Sequence, residues 1–166
     1  MTIPKLVAFL TLLLLAGAIP AQKIVMKIKG LNPTEGEPVN ALEFKGNAET
    51  SWEKGSGPSV AKPSPTSFLI EKDLALFTHE ITKKILTGSF FEEITFGYFD
   101  QDNPKSPYYE LTIVNVFATQ VHFLSPECPT CLNLENQFGF VFKKITLDDK
   151  ENKKTLIWDI STGTTE

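Results

Sequence analysis

Along most of the chain, apolar residues fall two positions apart. Ile24, Met26 and Ile28 share one face of 23–29, Leu42 and Phe44 one face of 40–46, and Phe68 and Ile70 one face of 67–72. Ile94, Phe96 and Tyr98 do the same in 91–100, opposite Glu93, Thr95 and Gly97. The stretch 108–119 is apolar on both faces in its second half, and "TLIWDI" (155–160) supplies a further strand. In "ENQFGFVFKKITLD" (135–148), Phe138, Phe140 and Phe142 lie on one side of an extended chain and Ile145 and Leu147 on the other. One extra residue between Phe142 and Ile145 is what a β-bulge supplies, so a bulge at Lys143-Lys144 is expected, bending the strand to close a small barrel. Roughly seven short strands with period-two patterning make the fold mainly β, a small antiparallel β-barrel.

One segment departs from this period. In "THEITKKILTG" (78–88), Ile81 and Ile85 are one helical turn apart, with Leu86 beside them. Thr78 suits an N-cap, Lys83 and Lys84 the last turns, and Gly88 a left-handed C-cap. The barrel is therefore expected to carry one short α-helix across an opening. The segment 46–67 is rich in Gly, Ser and Pro and reads as a long loop, and a second loop spans 123–133. Loops that long in a compact domain are either functional or disordered.

The N-terminus changes the boundary of the domain. Lys5 is the lone charge before the apolar run "LVAFLTLLLLAGAIPA", which ends in small residues. This is the pattern of a secretory signal peptide, with cleavage after Ala18 or Ala21, and the run is short for a membrane span of about 20 residues. Residues 1–21 are read as the signal peptide and 22–166 as a single domain, exported to the periplasm or beyond. No stable membrane anchor is expected after cleavage. All 16 basic residues are lysine, against 20 acidic ones. Without arginine, the usual residue for bidentate recognition of bases and phosphates, and with a net negative charge, the chain is a poor candidate for nucleic acid or an anionic bilayer.

Three features invite a chemical reading. Cys128-Pro129-Thr130-Cys131 has thiol-exchange spacing, but it lies in a loop without a surrounding βαβ unit. A local disulfide in an exported chain is the simpler account; a thiol oxidoreductase would have to show insulin-reduction activity that Cys131→Ser abolishes. His79 and His122 are the remaining soft ligands, and their spacing from the cysteines fits no standard zinc site. Glu92 and Glu93, adjacent on a strand, point to opposite faces and cannot act together as acid and base. The charged run from Asp148 to Lys154 reads as a solvated hairpin turn. There is no phosphate loop and no G-x-S-x-G, so no catalytic residue, metal or cofactor is assigned, and the chain is not expected to be an enzyme.

"ENQFGFVFKKITL" resembles the penultimate strand of the haemolysin-coregulated protein (Hcp) family, the ring-forming tube subunits of type VI secretion. Glu135, Asn136, Phe138, Phe140, Phe142, Lys144 and Ile145 fit that strand. "IVMKIKGLNPTEGEP", "LTGSFFEEITFGYFD", "YYELTIVNVFATQVHF" and "TLIWDI" resemble other parts of the family in the same order, so the resemblance covers most of 23–161. It implies a barrel that joins side by side into six-membered rings, which stack into a tube and meet other secretion components or cargo. It also implies that strand 108–119 is buried on both sides, with Val114 and Val116 candidate contacts to a neighbouring subunit, and that loop 46–67 reaches the adjacent ring with Trp52 as anchor. The leading expectation is thus a structural, self-assembling homo-hexamer. The alternative is an exported monomeric binding module or effector on the same fold, which the native mass distinguishes.

Overall fold

The computed structural model describes residues 23–47, 50–53, 57–60, 64–124 and 135–165. The strands are β1 (Lys23–Ile28), β2 (Glu37–Val39), β3 (Ala41–Asn47), β4 (Thr50–Glu53), β5 (Gly57–Val60) and β6 (Ser64–Asp73). After the helix α1 (Leu76–Thr87) come β7 (Phe90–Phe99), β8 (Tyr109–Leu124), β9 (Glu135–Val141), β10 (Lys144–Asp149), β11 (Lys154–Asp159) and β12 (Thr164–Thr165). Every strand pairing among the described residues is antiparallel. Among the described residues the fold is mainly β with one helix, as expected. The segment read as a long loop is more ordered than expected, because β4 and β5 form their own hairpin within it, Trp52 opposite Pro58.

Sixteen-residue β8 is the spine. One side of it pairs with β7, and the sheet continues from there to β1 and β2. The other side pairs first with β10 and then with β9, leading to β11 and β12 in one direction and to β6 and β3 in the other. β2, one end of the sheet, packs against β6 without forming a ladder, which corrects the expectation of a fully closed barrel. At the seam between β2 and β6, the Asn40 N–H donates to the Glu71 carbonyl (2.7 Å) and Lys72 Nζ meets Glu37 Oε2 (2.8 Å). A three-residue strand with Pro38 at its centre has few donors left for a second neighbour.

The register change in the phenylalanine strand takes a different form from the one predicted. Val141 faces Phe117 and Lys144 faces Val114, so two residues on β8 match the two between Val141 and Lys144. No extra residue sits at Lys143-Lys144, and the expected bulge is absent there. Instead neighbouring strands change phase together. Phe91 and Ile94 on β7, Val116 and Ile113 on β8, and Phe142 and Ile145 on β9–β10 are all buried, each pair three residues apart. On β8 the change is made at Asn115, whose φ of 53° is left-handed, a conformation that asparagine tolerates better than most residues. The result is a crease running across three strands. True bulges occur elsewhere, at Thr119 on β8 opposite β9 and at Thr66 on β6 opposite β3.

The core is largely aromatic. Phe68 is its hub, with the rings of Phe96 at 5.4 Å, Phe142 at 5.5 Å, Phe44 at 5.9 Å and Phe140 at 6.2 Å. Tilted and edge-on rings at these separations add to the hydrophobic gain from burial. α1 packs on β8, and its Phe77 and Ile81 are fully buried. Its N-cap is Ala75, three residues before the expected Thr78. Thr78 is the third helical residue rather than the cap, and its hydroxyl accepts from the Ala75 N–H (3.3 Å). The orphan Phe77 N–H donates to the Glu37 carboxylate (3.2 Å), so a strand residue distant in sequence caps the helix. Gly88 ends it in the left-handed conformation (φ 62°), as expected.

Candidate assembly surface

The crease leaves a band of sheet apolar on both faces. Inside it are Phe91, Val116 and Phe142. Outside it, Phe90 pairs with Phe117 across β7 and β8, and Phe117 with Val141 across β8 and β9. These three form one transverse row on adjacent strands, 47%, 43% and 51% exposed, with the rings of Phe90 and Phe117 5.7 Å apart. A contiguous exposed apolar patch, unlike scattered single apolar residues, marks a contact surface when it is large.

Of the residues expected to touch a neighbour, Val116 is fully buried in the core and its side chain is not available outside. Asn115 turns the strand there, and Phe117 takes the outward position. Val114 is half-buried on the outer face, between Glu93 and Lys144. Trp52 lies on the β4–β5 hairpin, its side chain outside the described residues, as are Cys128, Cys131 and the expected signal peptide.

A second apolar surface runs along α1. Leu74, Leu86 and Phe123 line a groove of about 350 Å³ with His79, Thr82 and Lys83 on the helix side. Leu74 is 49%, Phe123 53% and Leu86 82% exposed.

Sequence reasoning missed the polar clasp at the seam. The Lys72 and Glu37 side chains are only 1% and 7% exposed, and Lys72 also donates to the Asp73 carbonyl (3.0 Å). The signal was present in the sequence: Lys72 continues the Phe68 and Ile70 alternation, so it had to face the core. On the outer side, the Asn40 amide bridges Asp73 and Glu135 (both 3.2 Å).

The chemistry of the titratable groups is local. Asp148, Asp149 and Asp159 are held below the ordinary carboxylate range by hydrogen bonds from Lys150, from Asn152 and from Ser161 respectively. Burial pushes the Tyr98 phenol up, helped by Tyr109 and Tyr108. Glu92 is exposed and paired with Lys29 (3.2 Å), while Glu93 on the next position is half-buried. Among the described residues, no group of three or more His, Cys, Asp or Glu is placed to hold a metal ion, and no helix is long and apolar enough to cross a membrane.

Among the described residues, the mainly antiparallel β-sheet with one helix has the fold of Hcp proteins. Solved structures place it there. A structure described as a type six secretion system protein superimposes with a TM-score of 0.73 at 13% identity, covering 88% of this chain and 100% of that one. Hcp1 from Salmonella typhimurium gives 0.71 at 14% identity, covering 88% and 99%. The secreted protein Hcp3 from Pseudomonas aeruginosa gives 0.62 at 9% identity, covering 84% and 98%. No protein-family profile and no curated protein matches the chain by sequence.

Proposed function

We propose that the mature chain, freed of its signal peptide, is an exported, non-enzymatic structural subunit that assembles head-to-tail into six-membered rings. In this reading it resembles the tube subunits of type VI secretion and meets other secretion components or cargo through the assembled ring. The observation that carries the proposal is the band of sheet apolar on both faces, in a chain whose fold spans the whole length of Hcp structures. Phe117 and Val114 on β8 and the β4–β5 hairpin with Trp52 are the proposed contacts. A cyclic assembly needs two different surfaces of one subunit to meet, and the outer row and the helix groove are two such surfaces. Negative-stain electron microscopy of the mature chain tests the proposal: annular particles with a central hole are expected. Featureless single-subunit particles would overturn it in favour of a monomeric exported binding module.

A further inference from the structure

Lys72 and Asn136 face each other directly across β6 and β9, and both are buried, at 1% and 0% exposure. The Glu37 carboxylate stands at the lysine, 2.8 Å from Nζ. We propose that these three residues form a covalent cross-link within the chain. Lys72 Nζ becomes bonded to Asn136 Cγ as an isopeptide, with Glu37 carrying the protons and ammonia leaving.

Burial, placement and an unpaired group support the bond. Neither the oxygen nor the nitrogen of the Asn136 side-chain amide has a hydrogen-bond partner among the described residues. An amide buried in that way gives up its water and gains nothing in exchange. In a directly opposed pair of this kind the two Cβ atoms are about 5 Å apart, within the reach of a lysine. Nζ makes no hydrogen bond to the amide. It is held by Glu37 and by the Asp73 carbonyl (3.0 Å), and it reaches Cγ by turning about its flexible stem. One rung away, Asp73 faces Glu135 and the Asn40 amide bridges them, which pins the two strands together here. The Phe77 N–H in turn fixes the Glu37 carboxylate.

A lysine ammonium is not a nucleophile until a neighbouring base takes a proton from it. Glu37 is that base. One proton passes from Nζ to the carboxylate, and the neutral amine adds to Asn136 Cγ. In the tetrahedral intermediate Glu37 protonates the amide nitrogen and then removes a second proton from Nζ. The Cγ–Nδ2 bond breaks, and the departing ammonia takes up that proton as ammonium. Glu37 is again a carboxylate, and no oxidant or cofactor is consumed. The new amide replaces a buried ammonium and an orphaned side-chain amide. It ties β6 to β9 as a disulfide closing a long loop would, and it belongs to the single chain whether or not copies assemble.

Mass spectrometry of folded residues 22–166 tests the proposal. The intact chain should weigh less than its sequence by one ammonia. An N-terminal Gln22 also loses ammonia on cyclising, so the deciding measurement is the proteolytic digest. A branched peptide should join the segments that contain Lys72 and Asn136. Asn136→Asp should give the same branched peptide with water lost in place of ammonia, and Glu37→Gln should leave the two segments separate. A folded parent with Lys72 and Asn136 in separate peptides would overturn the proposal. A branched peptide formed as fully in Glu37→Gln as in the parent would overturn the part assigned to Glu37. Should Glu37→Gln not fold, the parent digest alone decides whether the bond exists.

Discussion

Lys72 of β6 and Glu37 of β2 form an ion pair at 2.8 Å, with both side chains almost wholly removed from water. The pair lies at the point where the sheet fails to close, and the Glu37 carboxylate also accepts one first-turn amide of α1, that of Phe77. Three elements therefore meet at one carboxylate. Breaking one half of such a pair leaves a buried charge uncompensated and costs about 3–5 kcal/mol. Lys72→Met should lower the unfolding free energy by that amount in urea denaturation. The coupling in a double-mutant cycle with Glu37→Gln should be clearly favourable. A loss under about 1 kcal/mol for Lys72→Met would mean that the seam does not depend on the pair.

Gly36 precedes Glu37 and fixes its approach. Its φ is +88°, and a Cβ there would lie 2.6 Å from the Met26 carbonyl oxygen and 2.7 Å from Val25 Cγ1. The strained backbone alone costs a side chain about 1–3 kcal/mol, and the collision with a backbone oxygen of β1 adds to it. Gly36→Ala should therefore lower the thermal midpoint by several degrees or more. Gly30, also left-handed (φ +81°) but with open space around its would-be Cβ, should tolerate alanine better. Equal losses at the two positions would contradict the close packing of β1 on the turn.

Phe140 is buried in the aromatic cluster at 4% exposure, its ring beside Phe68. Phe140→Ala should cost about 3–5 kcal/mol. Val141→Ala, one position along on the outer face, should leave monomer stability within about 1 kcal/mol. Chemical denaturation of both variants checks the facing of β9, and a reversal of the two values would show the strand turned over.

The β10–β11 hairpin should be the acid-sensitive part of the sheet. Asp149 accepts from the Asn152 amide (2.9 Å), which holds its carboxyl below the ordinary value of 3.8, and Lys150 does the same for Asp148. A carboxyl depressed in the folded state contributes stability that is present above its unfolded value, near pH 4. That contribution is lost as the pH falls through the folded value. Amide exchange at Asn152 should accelerate on acidification below about pH 4, once the intrinsic pH dependence of exchange is removed. In Asp149→Asn that step should disappear. A protection factor unchanged between neutral and acidic pH would contradict the assignment.

How much of this was legible in the sequence depended on whether one strand or several carried the information. Period-two alternation placed β1, β6, β7, β8 and β11, and the run from Asp148 to Lys154 was a hairpin turn as read. The slip between Phe142 and Ile145 was visible, but its form was not. A single strand cannot show that Ile113 and Val116, and Phe91 and Ile94, slip with it, which turns a supposed bulge into a crease and moves the outward side chain from Val116 to Phe117. Local sequence points to Thr78 as the cap because the true acceptor, Glu37, lies forty residues from Phe77. The β4–β5 hairpin was hidden by the Gly, Ser and Pro content around Trp52. The resemblance to Hcp proteins rested on weak matches in the right order, and the solved structures agree with it in fold.

The native mass of residues 22–166 bears most directly on the proposal that the outward apolar band is covered by copies of the same chain. Native mass spectrometry at micromolar concentration should find a particle six times the mass of the single chain, falling to the single-chain mass in Phe117→Asp/Val141→Asp. A parent that remains a single chain at high concentration would contradict the account.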